Sequence, residues 1–382
     1  MKIGITTFGG DGGKSGISQY IIRLLTAFDA MRDGTEFEVM VYEDEQSIFV
    51  PTSSSMKPLR FGGGLRNPIV NVAWHQTALP GWCRKRGFDI LFLPAGNRRL
   101  PLSVPCPSVG TVHDFSSIHV KEKYDPARMF YIKKVLPFLV RRLTLVLTVS
   151  ESSKRDIVEF ARVPEDRVLV TPLGVDRTAY YPRDRYLAQA GMANKYKTRS
   201  PYILYISRIE HPGKNHARLI RAFSRLKART GVPHQLVLAG SDWIRAEEVH
   251  READQSPFAR DIVFTGFASG DDLPLLYAGA ELFLFPSLYE GFGMPVLEAM
   301  ACRAPVACSN LSSLPEVAGD AALLFDPYDE EDMASVMERI LTDAVLRETL
   351  AEKGWKRAQG YTWEATARQT LQTLYRAEEA GR

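Results

Sequence analysis

The sequence predicts an α/β protein made of two doubly wound, Rossmann-like parallel-sheet domains. Three observations lead there. Short apolar runs alternate with longer amphipathic segments along the chain, the pattern of repeated strand–helix units. At 382 residues the chain is long for one hydrophobic core and comfortable for two. A polar stretch with Pro and Tyr but no clear periodicity, 176–200, separates two such series.

In the first series, strands are predicted at 2–7, 36–42, 89–93, 108–112, 143–149 and 167–171. The first helix is marked by Ile17, Tyr20, Ile21, Leu24, Leu25 and Phe28 at helical spacing. The connecting stretch 176–200 is expected to hold a short helix near 186–193. The second series predicts strands at 202–207, 235–239, 261–265, 281–285, 305–309 and 321–325. Helices are predicted between them at 216–229, 271–278, 294–300 and 330–342. The last forty residues read as helical, with a break at Gly360-Tyr-Thr-Trp363. The expected division is 1–175, a linker 176–200, 201–360, and a terminal helix 361–382.

Composition narrows the function. Hydrophobic content of 45% and charged content of 24% describe an ordinary globular protein, and a net charge of +3 gives no argument for nucleic acid. Met1–Thr6 reads as a strand, so no export signal is expected, and no run reaches the roughly 18 apolar residues that span a bilayer. Cys83, Cys106, Cys302 and Cys308 show neither zinc spacing nor a disulfide framework. A reducing cytoplasm is the expected compartment.

The most informative stretch is Glu290-Gly-Phe-Gly-Met-Pro-Val-Leu-Glu298, which follows the apolar run Leu282-Phe-Leu-Phe285. A buried strand, a glycine-rich bend and a helix start leave backbone N–H groups at the helix mouth, a seat for phosphate. Pro295 suits the first helical position, which would put Glu298 within the first turn. Two carboxylates beside a phosphate seat suit a hydroxyl-rich ligand, since each can accept two O–H donors. Read singly, Glu290 ends a loop and Glu298 complements a helix dipole.

As a whole, this string resembles the paired-glutamate motif of retaining glycosyltransferases of family four, whose fold is the two-domain GT-B. Ala299-Met-Ala-Cys-Arg-Ala-Pro-Val306 and Ser312-Ser-Leu-Pro-Glu-Val-Ala-Gly-Asp320 are similar to that family as well. The resemblance implies two domains facing each other across a cleft, the first on the acceptor side and the second holding the nucleotide sugar, with the terminal helix crossing back onto the first. It implies a nucleoside-diphosphate sugar as co-substrate, with no cofactor and no metal. No Asp-x-Asp stands where a metal would bridge the diphosphate. Overall similarity to bacterial polysaccharide mannosyltransferases favours GDP-mannose, with a UDP-hexose open, and a glycan or lipid-linked acceptor.

Arg208 and Lys214 bracket Ile209-Glu-His-Pro-Gly213 after a predicted strand and fit the family's Arg-x5-Lys phosphate clamp. Two cations there would stabilise the diphosphate as the glycosidic bond breaks, Arg through its fork and Lys as a point charge. Solvated surface cations are the plain alternative. His113, in Thr-Val-His-Asp at a strand end, is expected to donate to the sugar or a phosphate oxygen, or else to be structural. The resemblance thus gives Arg208, Lys214, Glu290 and His113 as catalytic. It gives Glu298, Gly16, Phe267, Phe292, Gly293, Met294, Val296 and Leu297 as donor-binding. Phe267 is read either as flanking the nucleobase or as a core aromatic.

Three features remain. Phe8-Gly-Gly-Asp-Gly-Gly-Lys-Ser-Gly16 mimics a Walker A loop, but Phe8 stands where the first glycine is needed. This glycine-rich bend is expected to approach the donor diphosphate, with Gly16 the best match and the role of Lys14 open. Asp271-Asp272 is read as helix capping rather than a metal pair. The stretch 121–142 carries seven basic residues against Glu122 and Asp125. It reads as a surface for peripheral membrane contact or as a helix packed inside the first domain, broken by Pro137. Outside the transferase class stand a sugar-nucleotide epimerase of the same fold and a non-catalytic sugar-nucleotide or glycan-binding protein.

Overall fold

The structure, a computed structural model, describes residues 1–13, 15–120 and 125–381. The chain divides into two compact units. One comprises 1–118, 124–174 and 363–382; the other comprises 119–123 and 175–362.

In the first unit, seven strands form one sheet: β1 (Lys2–Thr6), β2 (Glu36–Tyr42), β3 (Lys57–Phe61), β4 (Ile90–Leu93), β5 (Ser108–Thr111), β6 (Leu145–Thr148) and β7 (Val168–Val170). Their order is β3-β2-β1-β4-β5-β6-β7 and every pairing is parallel. Ile3 of β1 sits opposite Phe37 on one side and Ile90 on the other. Strands covered on both faces bury every residue, and β4 through β6 are buried throughout.

The β3 strand was not expected. Its sequence, Lys-Pro-Leu-Arg-Phe, lacks an apolar run and carries Pro58, which an edge position tolerates because one side of the strand needs no ladder partner. Helix Pro68–Arg86 was also missed. Asn67 caps it by accepting from the amides of Ile69 and Val70, and Gly87 closes it at φ 63°. Helix Trp363–Gly381 belongs to this unit. Thr366 Oγ1 donates to Pro172 O at 2.7 Å, and Tyr375 Oη donates to Asp33 at 2.5 Å.

Pro137 does not break its helix. Residues Pro126–Phe130, Tyr131–Val135 and Leu136–Val140 run as one helical stretch whose middle turn is a π-turn. The wider turn absorbs both the missing amide of proline and its clash with the preceding carbonyl. Lys121, Glu122, Lys123 and Tyr124, the start of the basic-aromatic stretch, lie outside the described residues.

The second unit holds β8 (Tyr202–Ile206), β9 (Gln235–Ala239), β10 (Ile262–Gly266), β11 (Leu282–Phe285), β12 (Val306–Ser309) and β13 (Ala322–Phe325). They form a parallel sheet of order β10-β9-β8-β11-β12-β13. The stretch 176–200, read as a linker, is counted with this unit and contains helix Arg185–Tyr196, capped by Asp184. Asp272 holds that helix down. Its carboxylate accepts from Lys195 Nζ (2.6 Å), Tyr196 Oη (2.7 Å) and Ser269 Oγ (2.6 Å). Those donors, Lys195 first, pull its carboxyl down to about 2. The side chain makes no cap bond to helix Leu273–Gly279, so the expected capping role is replaced by a tertiary tie.

Candidate active site

In the second unit the strand order reverses between β8 and β11, and open α/β sheets bind ligands beyond the carboxyl ends at such a point. The two loops that leave it are 207–215 and 286–293. Leu288 N donates to Gly213 O at 3.0 Å, joining them. Asn215 fixes the join. It takes the left-handed conformation, φ 62°, which asparagine tolerates. Its buried amide donates to Pro286 O at 3.1 Å and Pro327 O at 2.7 Å. On the other side, Gly240 after β9 presses on the loop. A Cβ there would stand 1.8 Å from Ser207 O, and φ is 150°, so only glycine fits.

Within this frame Lys214 Nζ lies 2.6 Å from Glu290 Oε1, and Ser287 Oγ donates to the same oxygen at 2.6 Å. The Glu290 backbone is held as firmly. Its amide donates to Ser312 Oγ at 3.0 Å, and Ser313 Oγ reaches Glu290 O (3.0 Å) and Phe292 O (2.7 Å). Burial acts to lower the Lys214 pKa, but Glu290, with Tyr205 and Glu210, outweighs it and holds the ammonium above its ordinary value. Lys214 is therefore a fixed positive charge at neutral pH. The Arg208 guanidinium lies 4.7 Å from the ring centroid of Trp243, whose amide donates to Ile209 O at 2.9 Å.

The helix that follows, Met294–Ala301, starts at the predicted residue, but the expectation that Pro295 is its first residue is one position off. Gly293, at φ 108°, occupies the N-cap position, so Pro295 is the second helical residue and Glu298 lies beyond the first turn. Both changes are local. Proline's missing N–H is harmless at either of the first two positions, since neither has an intrahelical acceptor. Glu298 gains a different partner from the dipole: Tyr277 Oη, fully buried, donates to its Oε2 at 2.9 Å. Phe292, Val296 and Leu297 are buried as side chains, and the Val296 amide already bonds Gly293 O at 3.0 Å. The Phe292 and Leu297 backbones, with Gly293 and half-buried Met294, are what that run can offer a ligand.

The remaining predicted residues lie elsewhere. Phe267, after β10 at the sheet edge, is 69% exposed, which rules out the core reading. In the first unit, Gly16 opens helix Gly16–Met31 behind its cap Ser15, and Lys14 lies outside the described residues. Asp11 holds this loop, accepting from Ser15 N (2.8 Å) and Ser18 Oγ (2.7 Å). Phe8 is fully buried against Tyr42, Phe61 and Trp74, which explains why no glycine stands there. His113 is buried, with Nε2 2.9 Å from Pro94 O and its ring edge-on to Tyr20. Burial pushes its pKa down, so it is neutral, and Nε2–H donates to that carbonyl. Among the described residues no cluster of three or more His, Cys, Asp or Glu is gathered as a metal site. No helix of the described residues is long and apolar enough to cross a membrane.

Trp243, Tyr277, Ser287 and Ser313 escaped the sequence reading. Only Ser313 carried a signal, through its place in the Ser312–Asp320 string.

The architecture and this site define a class, the two-domain α/β glycosyltransferases. A solved structure of that kind, the sucrose-phosphate synthase of Thermosynechococcus elongatus, superposes with a TM-score of 0.76 over all of both chains at 20% identity. Residues 192–357 match the family described as glycosyl transferases group 1, and 14–179 match glycosyltransferase family 4. The chain is 34% identical over 264 residues to the O-antigen chain mannosyltransferase B of Escherichia coli, covering 69% of each. It is 34% identical over 292 residues to the serotype-specific mannosyltransferase WbdA of Escherichia coli, 74% of this chain but 34% of that longer protein. The chain belongs to the group 1, family 4 glycosyltransferases and is a glycosyltransferase.

Proposed function

We propose that this enzyme is a retaining hexosyltransferase that moves mannose from a nucleoside-diphosphate sugar to a hydroxyl of a glycan or lipid-linked acceptor in bacterial surface polysaccharide synthesis. The observation that carries the reading is the Lys214–Glu290 pair at the strand-order reversal, with Arg208 on the same loop as Lys214. Mannose and polysaccharide rest on the names of the two relatives.

In this reading Lys214 and Arg208 take the diphosphate and stabilise the charge that builds on it as the glycosidic bond breaks. Glu290 accepts from hydroxyls of the transferred sugar, beside the Gly293 and Met294 backbone. Glu298, fixed by Tyr277, accepts from the ribose hydroxyls, and exposed Phe267 covers the base. In the first unit, the bend at Gly16 leaves room for close backbone approach, and His113 offers Nδ1 as an acceptor for a hydroxyl, since Nε2–H is engaged. Peripheral membrane contact through 121–142 belongs to the same proposal. It is supported by Phe130 and Phe138, exposed by 64% and 41%, among basic neighbours such as Arg142.

A thermal-shift screen of GDP, UDP, GDP-mannose and UDP-hexoses tests the donor. A ligand at one hundred times its Kd should stabilise the protein by about 2.7 kcal/mol, and GDP-mannose should lead. Stabilisation by none of them would overturn the donor assignment.

A further inference from the structure

Arg208 and Lys214 stand at the two ends of one loop, and a diphosphate can use both only if their separation is kept. The Lys214 end is anchored: Tyr205 Oη donates to Lys214 O at 2.8 Å, and the neighbouring Asn215 amide donates to Pro286 O and Pro327 O. On the Arg208 side, Ile209 N donates to Ser241 O at 3.0 Å, which bridges the outer edge of the loop. Its inner support is His216, which no motif singled out. This residue opens helix His216–Thr230 and is only 1% exposed.

The imidazole bonds the chain on both sides of Arg208. Nδ1 lies 3.3 Å from Glu210 O, and Nε2 lies 3.2 Å from Ser207 Oγ. The Ser207 hydroxyl is also 3.1 Å from Arg208 O, so its proton lies between the ring and the residue that carries the guanidinium. Tyr205, which anchors the Lys214 end, packs on the same ring with centroids 4.7 Å apart. One buried ring thus touches the ties of both cations.

Its partners fix its protonation. A carbonyl oxygen only accepts, so Nδ1 carries the proton, and in the neutral ring Nε2 accepts from the Ser207 hydroxyl. Burial, with the charges of Lys214, His211 and His250, pushes the pKa down to about 3 against the bond to Glu210 O. The ring is therefore neutral at physiological pH. Filling space does not call for it, because an apolar side chain would do so without two buried nitrogens that must both be bonded.

We infer that His216 is a positioning residue for the transfer reaction: its neutral imidazole, bonded to Glu210 O and Ser207 Oγ, fixes the backbone on either side of Arg208 and so its separation from Lys214. This rests on the reading above, in which those two cations take the diphosphate. Loss of the ring then weakens the grip on a diphosphate and spares a ligand that has a single phosphate.

The test is calorimetric binding to the full chain of GDP against GMP, or of UDP against UMP if the uracil nucleotides are the ones that bind. His216→Phe keeps the bulk and removes both bonds. Ser207→Ala removes only the bond to Nε2 and, at a half-buried position, decides the matter if His216→Phe does not fold. Affinity for the diphosphate should fall about tenfold in His216→Phe and about threefold in Ser207→Ala, while the monophosphate changes less than about twofold. His216→Asn, whose amide nitrogen can stand where Nδ1 does, should recover part of the loss. Nitrogen-15 NMR of the wild type should find the ring neutral and protonated on Nδ1 from about pH 8 down to about pH 5. The inference is overturned if both variants keep the wild-type preference for diphosphate over monophosphate, or if the ring carries its proton on Nε2. A wild type that binds neither diphosphate overturns the donor reading and this inference together. Diphosphate binding with an unchanged preference in the variants overturns this inference alone.

Discussion

Lys214 Nζ bonds Glu290 Oε1 at 2.6 Å although 76 residues separate them in the chain. The proposed function gives one of these residues to the phosphate and the other to the sugar, yet they form one electrostatic unit. The carboxylate keeps the ammonium charged and aimed, and the ammonium, with Ser287, holds the carboxylate in place. Neither residue can be removed without altering the other.

Replacing Lys214 by Met should lower kcat by 10²–10³-fold, the usual loss for a charge that stabilises a transition state (about 3–4 kcal/mol). Glu290→Gln should cost a similar factor. The double variant should fall well short of the product of the two, with a coupling of about 1–3 kcal/mol. Steady-state kinetics with a saturating donor checks this, and strictly multiplicative losses would separate the two residues.

If Arg208 takes the diphosphate as proposed, Arg208→Ala should mainly lower kcat, because its charge would matter most as the diphosphate departs. The stack on Trp243 makes a second forecast. Trp243→Ala should reduce kcat about threefold to tenfold by loosening the guanidinium, and Trp243→Phe should recover most of it. A Trp243→Ala enzyme with unchanged kcat would leave the indole with no part in aiming Arg208.

If Glu298 accepts from the ribose as proposed, Glu298→Ala should raise the donor KM with a small effect on kcat, since such contacts would be the same in ground and transition states. Tyr277→Phe removes a hydrogen bond to Glu298 and should raise the same KM by a smaller factor, near tenfold or below, for loss of one bond to a charged group. Comparing KM for GDP-mannose with the affinity for GDP alone locates the loss in the nucleoside.

Acid stability should depend on Glu38. This fully buried carboxylate on β2 accepts from Arg86 Nε at 2.6 Å, with Lys2 and Lys57 Nζ at 3.2 and 3.5 Å. Burial favours the neutral acid, but Arg86 and Lys2 outweigh it and hold the pKa below its ordinary value. A depressed carboxyl pKa stabilises the fold above the unfolded value, about 4.3, and that contribution disappears as pH falls through the folded one. Glu38→Gln should therefore destabilise by about 3 kcal/mol at pH 7 and flatten the loss of stability below about pH 4.5. Urea melts at pH 7 and pH 3.5 read both effects.

Some of this was legible because it is local. The string 290–298 announces a strand–bend–helix through its glycines and proline, whose backbone preferences hold wherever the chain goes. The alternation of apolar runs gave twelve of the thirteen strands for the same reason, and β3 escaped because an edge strand with a proline needs no apolar alternation. Helix Pro68–Arg86 escaped because Pro80 sits inside it and its exposed face carries Ile69 and Val70.

Sequence alone determined the fold class, the family resemblance and which loops leave the carboxyl ends of the strands, since each follows from residues close together in the chain. Only the tertiary structure decided who meets whom. Lys214 with Glu290, Arg208 with Trp243 and Tyr277 with Glu298 are joined by strand order, which no spacing encodes. The physical reason is that a hydrogen bond or ion pair depends on ångströms in space, and neighbours in a parallel sheet are set by crossovers dozens of residues long.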